Sequence, residues 1–171
     1  MKSCSFSQTA QKLAKKTGYK VLHNHLTIDL LRSLFDWRSK PYNELIKKCR
    51  LELLEAAAKY KIPGVITTLV YAAEADDQEM HELVRKMKRA HVTVCFVQLL
   101  CEQRELEKRI THESRKQYTK IRHVKNLRDM MGKFDTLKPV PHGNNLVIDS
   151  THLTPARTVN RIMKHFHLPN A

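Results

Sequence analysis

Two runs in this sequence constrain the fold more than anything else: "GVITTLVYA" (64–72) and "VTVCFVQLLC" (92–101). Both are apolar nearly throughout and rich in β-branched residues, with no polar alternation. That is the character of a strand covered on both faces, which occurs where helices flank a parallel sheet. A third run, "LVIDS" (146–150), reads as a last strand, and "YKVLHNH" (19–25) as a short first one. Helical periodicity fills the intervals. Phe6, Thr9, Ala10, Leu13 and Ala14 fall on one helix face, with Ser5 and Gln8 spaced as a capping box and Gly18 as the stop. A helix is expected in "LTIDLLRSLF" from about Thr27. After Pro41, a longer one carries Leu45, Ile46, Cys49, Leu53, Ala56 and Tyr60 until Pro63-Gly64 breaks it. Met80, Leu83, Val84 and Met87 mark the next helix. Thr154-Pro155 opens the closing helix, whose face is Val159, Ile162, Met163 and Phe166. The alternation predicts an α/β fold: a three-layer, open, mostly parallel sheet with helices on both faces. With 171 residues, a single domain over 1–171 is expected.

The charge balance bears on partners. Lys and Arg number 31 against 17 Asp and Glu, a formal +14. Such a surface suits an anionic small molecule, a nucleotide or nucleic acid, and equally describes a merely solvated basic exterior. Ten of the Lys/Arg and only four acids fall between Arg104 and Lys133, in a polar, helix-prone stretch. Four cysteines form no CxxC pair, and Cys95 and Cys101 lie in an apolar run where a buried thiol is expected. No segment has the length of a membrane span and the first residues have no signal-peptide core, so a cytoplasmic protein is expected, with no membrane partner.

Three stretches carry a resemblance: "LAKKTGYKVLHNHLTIDLL", "VCFVQLLCEQRELEKRITHESRKQYTKI" and "LVIDSTHLTPARTV". With the order of elements, they make the chain resemble small P-loop kinase-like proteins related to shikimate kinase and chloramphenicol phosphotransferase, a group often labelled AAA-family ATPases. The resemblance spans nearly the whole chain from about Ser5. It implies a P-loop NTPase-like fold, a helical basic lid over about 102–133, and phosphoryl transfer with ATP and Mg²⁺. Members of the family begin with a central strand and a glycine-rich loop ending in Gly-Lys-Ser/Thr, whose backbone cradles phosphates. Counting back from Thr17-Gly18 places that motif at Ser5, Phe6, Ser7 and Gln8, and no glycine precedes Gly18. The fold is therefore expected to be N-terminally incomplete relative to the family. Two explanations are open: a rearranged sheet, or a truncated or frameshifted chain, of which the second is favoured. Without the central strand, the strands in 64–72 and 92–101 are expected to pair directly or leave backbone groups unsatisfied, at roughly 1–3 kcal/mol each if buried.

Candidate site residues follow from both readings. His23 and His25 are expected to share one side of the first strand with Asn24 on the other. An imidazole with an ordinary pKa of about 6.5 can act as a general base, and the resemblance places this strand end at the phosphoryl acceptor. His23 and His25 are therefore candidate catalytic residues, with Asn24, Thr27 and Asp29 binding substrate; the alternative is a strand end capping the next helix. Metal coordination by side chains is not expected, since no third and fourth ligand stand at suitable spacing. The lid of the resembling family implies that Arg109 and Arg115 stabilise transferring phosphate, with Lys116 on the nucleotide. Those residues read alternatively as a solvated face with i,i+4 pairs such as Glu105–Arg109. Nucleic-acid binding in that region is weakly supported, because Tyr118 is its lone aromatic. Glu74, Asp76 and Asp77 are loose candidates for a Mg²⁺-linked carboxylate, Asp76 and Asp77 reading equally as helix-start acids. Asp149 leads into a loop that borders the nucleotide base in the family. The functional expectations are a degenerate or truncated phosphotransferase relative, inactive for lack of its phosphate loop; or a non-catalytic binder of an anionic ligand; or a nucleic-acid binder. The acceptor and the oligomeric state are not legible.

Overall fold

The computed structural model describes residues 6–110, 123–133, 135 and 137–171. The chain runs α1 (Phe6–Thr17), β1 (Lys20–His23), α2 (Asn24–Arg32), α3 (Lys40–Lys59), β2 (Val65–Thr68), α4 (Asp77–Arg89), β3 (Phe96–Leu100), α5 (Gln103–Ile110), α6 (Val124–Lys133), β4 (Asn145–Asp149) and α7 (Pro155–Phe166). This is the expected α/β alternation, with every described strand pair parallel.

Helix ends follow local chemistry. Gly18 takes a left-handed φ of 71° and its N–H returns to the Ala14 carbonyl at 2.9 Å, closing α1. Thr154 caps α7, its hydroxyl accepting from the Arg157 N–H at 3.3 Å, with Pro155 inside the first turn. Ser39 caps α3 in the same way through the Tyr42 N–H at 3.4 Å. The Ser5 half of the expected capping box lies outside the described residues.

The strands depart from expectation in pairing and in cover. β1 pairs with β2, Lys20 opposite Val65 through His23 opposite Thr68. β3 pairs with β4, Phe96 opposite Asn145 through Leu100 opposite Asp149. Among the described residues β2 and β3 share no ladder, so the strands form two parallel pairs and not one sheet. Direct pairing of β2 with β3 thus does not occur. Nor are these strands fully buried: Thr67 is exposed, all five residues of β3 are half-buried, and Val70 beyond β2 is 53% exposed. Cys95 is exposed and Cys101 half-buried, against the expectation of buried thiols.

Side-chain packing joins the two pairs. Leu13 of α1, Ile148 of β4, and Val159 and Ile162 of α7 form one core. Ile66 of β2 packs on it from one pair, and Val97 and Leu99 of β3 from the other. Val159 is wholly buried, and a side chain of that class contributes roughly 1.5–3 kcal/mol on burial. A second core lies beyond β1, where Ile28 and Leu31 of α2 meet Tyr42 and Ile46 of α3, with Phe35 against them. Of the apolar stripe expected on α3 only Ile46 is buried; Leu45, Leu53 and Tyr60 are exposed.

Candidate functional site

The ends of the strands place most of the candidate residues, and the carboxyl edge is where open α/β sheets bind ligands. At the end of β1, helix α2 begins at Asn24 and not at Thr27. The alternation expected for His23-Asn24-His25 therefore does not apply, since only His23 belongs to the strand. His23 is instead the N-cap of α2: its backbone is extended and its Nδ1 accepts from the His25 N–H at 3.3 Å. The two imidazoles stand 5.2 Å apart, tilted by 34°. His23 is buried and His25 half-buried.

The neighbours of that turn form a connected set. The Thr68 hydroxyl at the end of β2 donates to Asn24 Oδ1 at 3.4 Å, linking the two strand ends. Thr27 is buried, donates its hydroxyl to the Asn24 carbonyl at 2.9 Å, and accepts from Arg50 Nε at 3.2 Å. Arg50, on α3, is a component that the sequence did not single out; helical spacing alone cannot tell which cation reaches across to α2. Asp29 is exposed and its charge, with those of Arg50 and Arg32, acts on Tyr42. Burial is the larger influence on that phenol and pushes its pKa up. Of the substrate-binding candidates, Asn24 and Thr27 thus sit directly with the histidines, and Asp29 lies one turn further along α2.

The other strand pair ends in a second polar cluster. The Ser150 N–H and hydroxyl both donate to the Leu100 carbonyl at 2.8 Å. Thr151 donates to Asp149 through its N–H at 2.8 Å and its hydroxyl at 2.6 Å, and accepts from the Glu102 N–H at 3.0 Å. The bonds from Thr151 hold the Asp149 carboxyl below the usual carboxylate range. Arg109 is only 7% exposed; it donates to the Ser150 and Thr151 carbonyls at 3.2 and 2.6 Å and pairs with Glu105 at 3.1 Å. Its guanidinium is committed to holding the β4–α7 loop against α5. Arg115 and Lys116 lie outside the described residues, as does Tyr118.

The donors for Mg²⁺-ATP are a poor fit. None of the four glycines begins a Gly-Lys-Ser/Thr; Gly132-Lys133 is followed by Phe134. Asp76 Oδ2 accepts from the Ala72 N–H at 2.8 Å, and Asp77 accepts from the Tyr71 hydroxyl. Burial and that bond raise the Tyr71 pKa to about 12. Glu74 is open to solvent, 3.8 Å from Lys138. Each carboxylate considered for the metal is thus a helix-start or loop group, and no cluster of metal-ligating side chains stands among the described residues. No helix among them is long and apolar enough to cross a membrane.

Comparison of the fold with solved structures brings out a resistance protein and two kinases. The chain is similar to a tunicamycin resistance protein from Deinococcus radiodurans, with a TM-score of 0.63 and 19% identity over 97% of this chain and 93% of that one. It is similar also to a candidate kinase from Chloroflexus aurantiacus, with a TM-score of 0.66 and 14% identity over 93% and 90%. A sugar kinase from Janibacter sp. HTCC2649 superposes with a TM-score of 0.65 and 14% identity, over 95% of this chain and 87% of that one. At such identities the likeness is one of fold. No protein-family profile matches the sequence, and no curated protein matches it significantly.

Proposed function

We propose that this chain is a degenerate or truncated relative of small-molecule phosphotransferases that keeps the acceptor side of a kinase cleft and, within these 171 residues, carries no phosphate loop. The observation that carries the reading is the fold: likeness to two kinases across 93–95% of the chain, without a phosphate-binding loop in these 171 residues. In this reading the three-layer P-loop fold is the ancestral frame, and the two parallel strand pairs flank the place of its central strand. His23, Asn24, His25 and Thr27 form the acceptor pocket. Arg50 anchors Thr27 and adds a positive charge that favours an anionic or phosphorylated ligand. Asp29 borders the pocket, and Arg115 and Lys116 supply the lid's charge. Arg109 acts as a positioning residue through the loop carbonyls of Ser150 and Thr151.

Phosphoryl transfer is mainly positioning plus electrostatic stabilisation, and the loop contributes both. The expected result is that purified chain with Mg²⁺-ATP shows no turnover above background, while sugar phosphates raise its Tm and His25→Ala removes that rise. Robust turnover that disappears in Arg115→Ala would show the reading to be wrong.

A further inference from the structure

Charge is segregated along this chain in a way the proposed cleft does not use. All 17 acidic residues lie between Asp29 and Asp149, and none lies in 1–28 or 150–171. Those two segments hold α1 and α7, which pack against each other through the Leu13–Val159–Ile162 core. The outer sides of both helices are basic. Lys12, Lys15 and Lys16 are exposed on α1, and Arg157, Arg161 and Lys164 are exposed on α7 at i, i+4 and i+7. The two rows lie side by side, since Lys16 Nζ donates to Asn160 Oδ1 at 2.9 Å. None of the ion pairs among the described residues involves any of these six cations. Elsewhere the protein does pair its surface cations, as Lys86 with Glu55 and Arg128 with Glu107.

We propose that the paired outer faces of α1 and α7 bind the sugar–phosphate backbone of nucleic acid without reading its sequence. Two neighbouring rows of cations with no acidic side chain among them match a regular array of phosphates, and their association would be driven by counterion release. An anionic membrane fits less well. Among the large apolar residues of the two helices, Phe6 at the start of α1 is the exposed one, so the face has little to insert between lipids. Base stacking is not expected either, because no aromatic residue lies within either row.

The test is fluorescence anisotropy of a labelled, random-sequence DNA duplex against the full chain, titrated with NaCl. With the six cations engaged, the slope of log K against log salt is expected near −5. Arg157→Gln/Arg161→Gln/Lys164→Gln should lower affinity at least about tenfold and bring the slope up by about 3. Lys48→Gln/Lys59→Gln/Arg85→Gln removes as many exposed cations from α3 and α4 and should leave binding nearly intact. Lys12→Gln/Lys15→Gln repeats the test on the other helix, should the first variant fail to fold by circular dichroism. Equal losses in the α7 and control variants would mean that only net charge matters, which overturns the proposal. So would salt-independent binding, no binding, or binding to phosphatidylserine vesicles without binding to the duplex.

Discussion

Gly64 shows how one residue can hold a strand in register. Its carbonyl accepts from the Lys20 N–H at 2.9 Å, at the first rung between β1 and β2. A Cβ there would stand 2.4 Å from the Tyr19 ring, and would meet the ring near its root, at Cγ, where it cannot swing aside. Gly64→Ala is therefore expected to destabilise the fold by about 1–3 kcal/mol in urea unfolding, as overpacking does. Tyr19→Ala should remove most of that penalty when combined with it. Arg109 is the second residue whose role is positional. Arg109→Ala leaves the Ser150 and Thr151 carbonyls without their shared donor, and a loss of ~3 kcal/mol is expected, read as a lowered urea midpoint. Arg109→Lys should recover little, since an ammonium does not reproduce the guanidinium fork. An unchanged midpoint in Arg109→Ala would show that the loop does not depend on this side chain. The sequence marked Arg109 through its place in the expected lid, but burial, which decides its role, is not written in an i,i+4 pattern.

Among the elements, helix ends marked by glycine or proline were the most legible part of the chain, and strand extents the least. Gly18, Pro63-Gly64 and Thr154-Pro155 act within a few residues of themselves, so their effect can be read locally. A strand ends where its partner ends. The ten-residue apolar run at 92–101 yields a five-residue β3 because β4 offers only Asn145–Asp149. The same non-local cause misplaced His23, Asn24 and His25: Leu22 and His23 end the ladder opposite Thr67 and Thr68, and α2 takes over at once. The helices of the basic stretch offer a test of their own. Arg128 bridges from α6 to Glu107 of α5 with two bonds, at 2.7 and 3.0 Å, and with Gln103 holds that carboxyl at about 2. A carboxyl held below its unfolded value adds stability above that value and loses it as pH falls through the folded one. The α5–α6 tie should thus weaken between about pH 4.5 and pH 2. Hydrogen exchange over 103–110 and 124–133 should show that step, and Glu107→Gln should abolish it.

At the scale of the molecule, the inner edges of β2 and β3 set the most testable expectation. Amides of β2 that bond to β1, and of β3 that bond to β4, are locked in ladders, whereas those facing the other way have no described strand beside them. Native-state exchange is expected to split each strand into slow and fast amides in alternation. Uniform protection along β2 would mean that its inner edge is covered after all. No local signal could announce this division, because both apolar runs look like central strands and each has one described strand beside it.

The division has a consequence for how the protein would come apart under heat. A continuous sheet transmits unfolding along its ladders, but here the Lys20–His23/Val65–Thr68 pair and the Phe96–Leu100/Asn145–Asp149 pair share no described ladder and meet through packed side chains, those of α1 and α7 among them. Such a seam is weakly cooperative, and the halves can melt in sequence. In a calorimeter the heat actually absorbed would then exceed the enthalpy inferred from the sharpness of the transition.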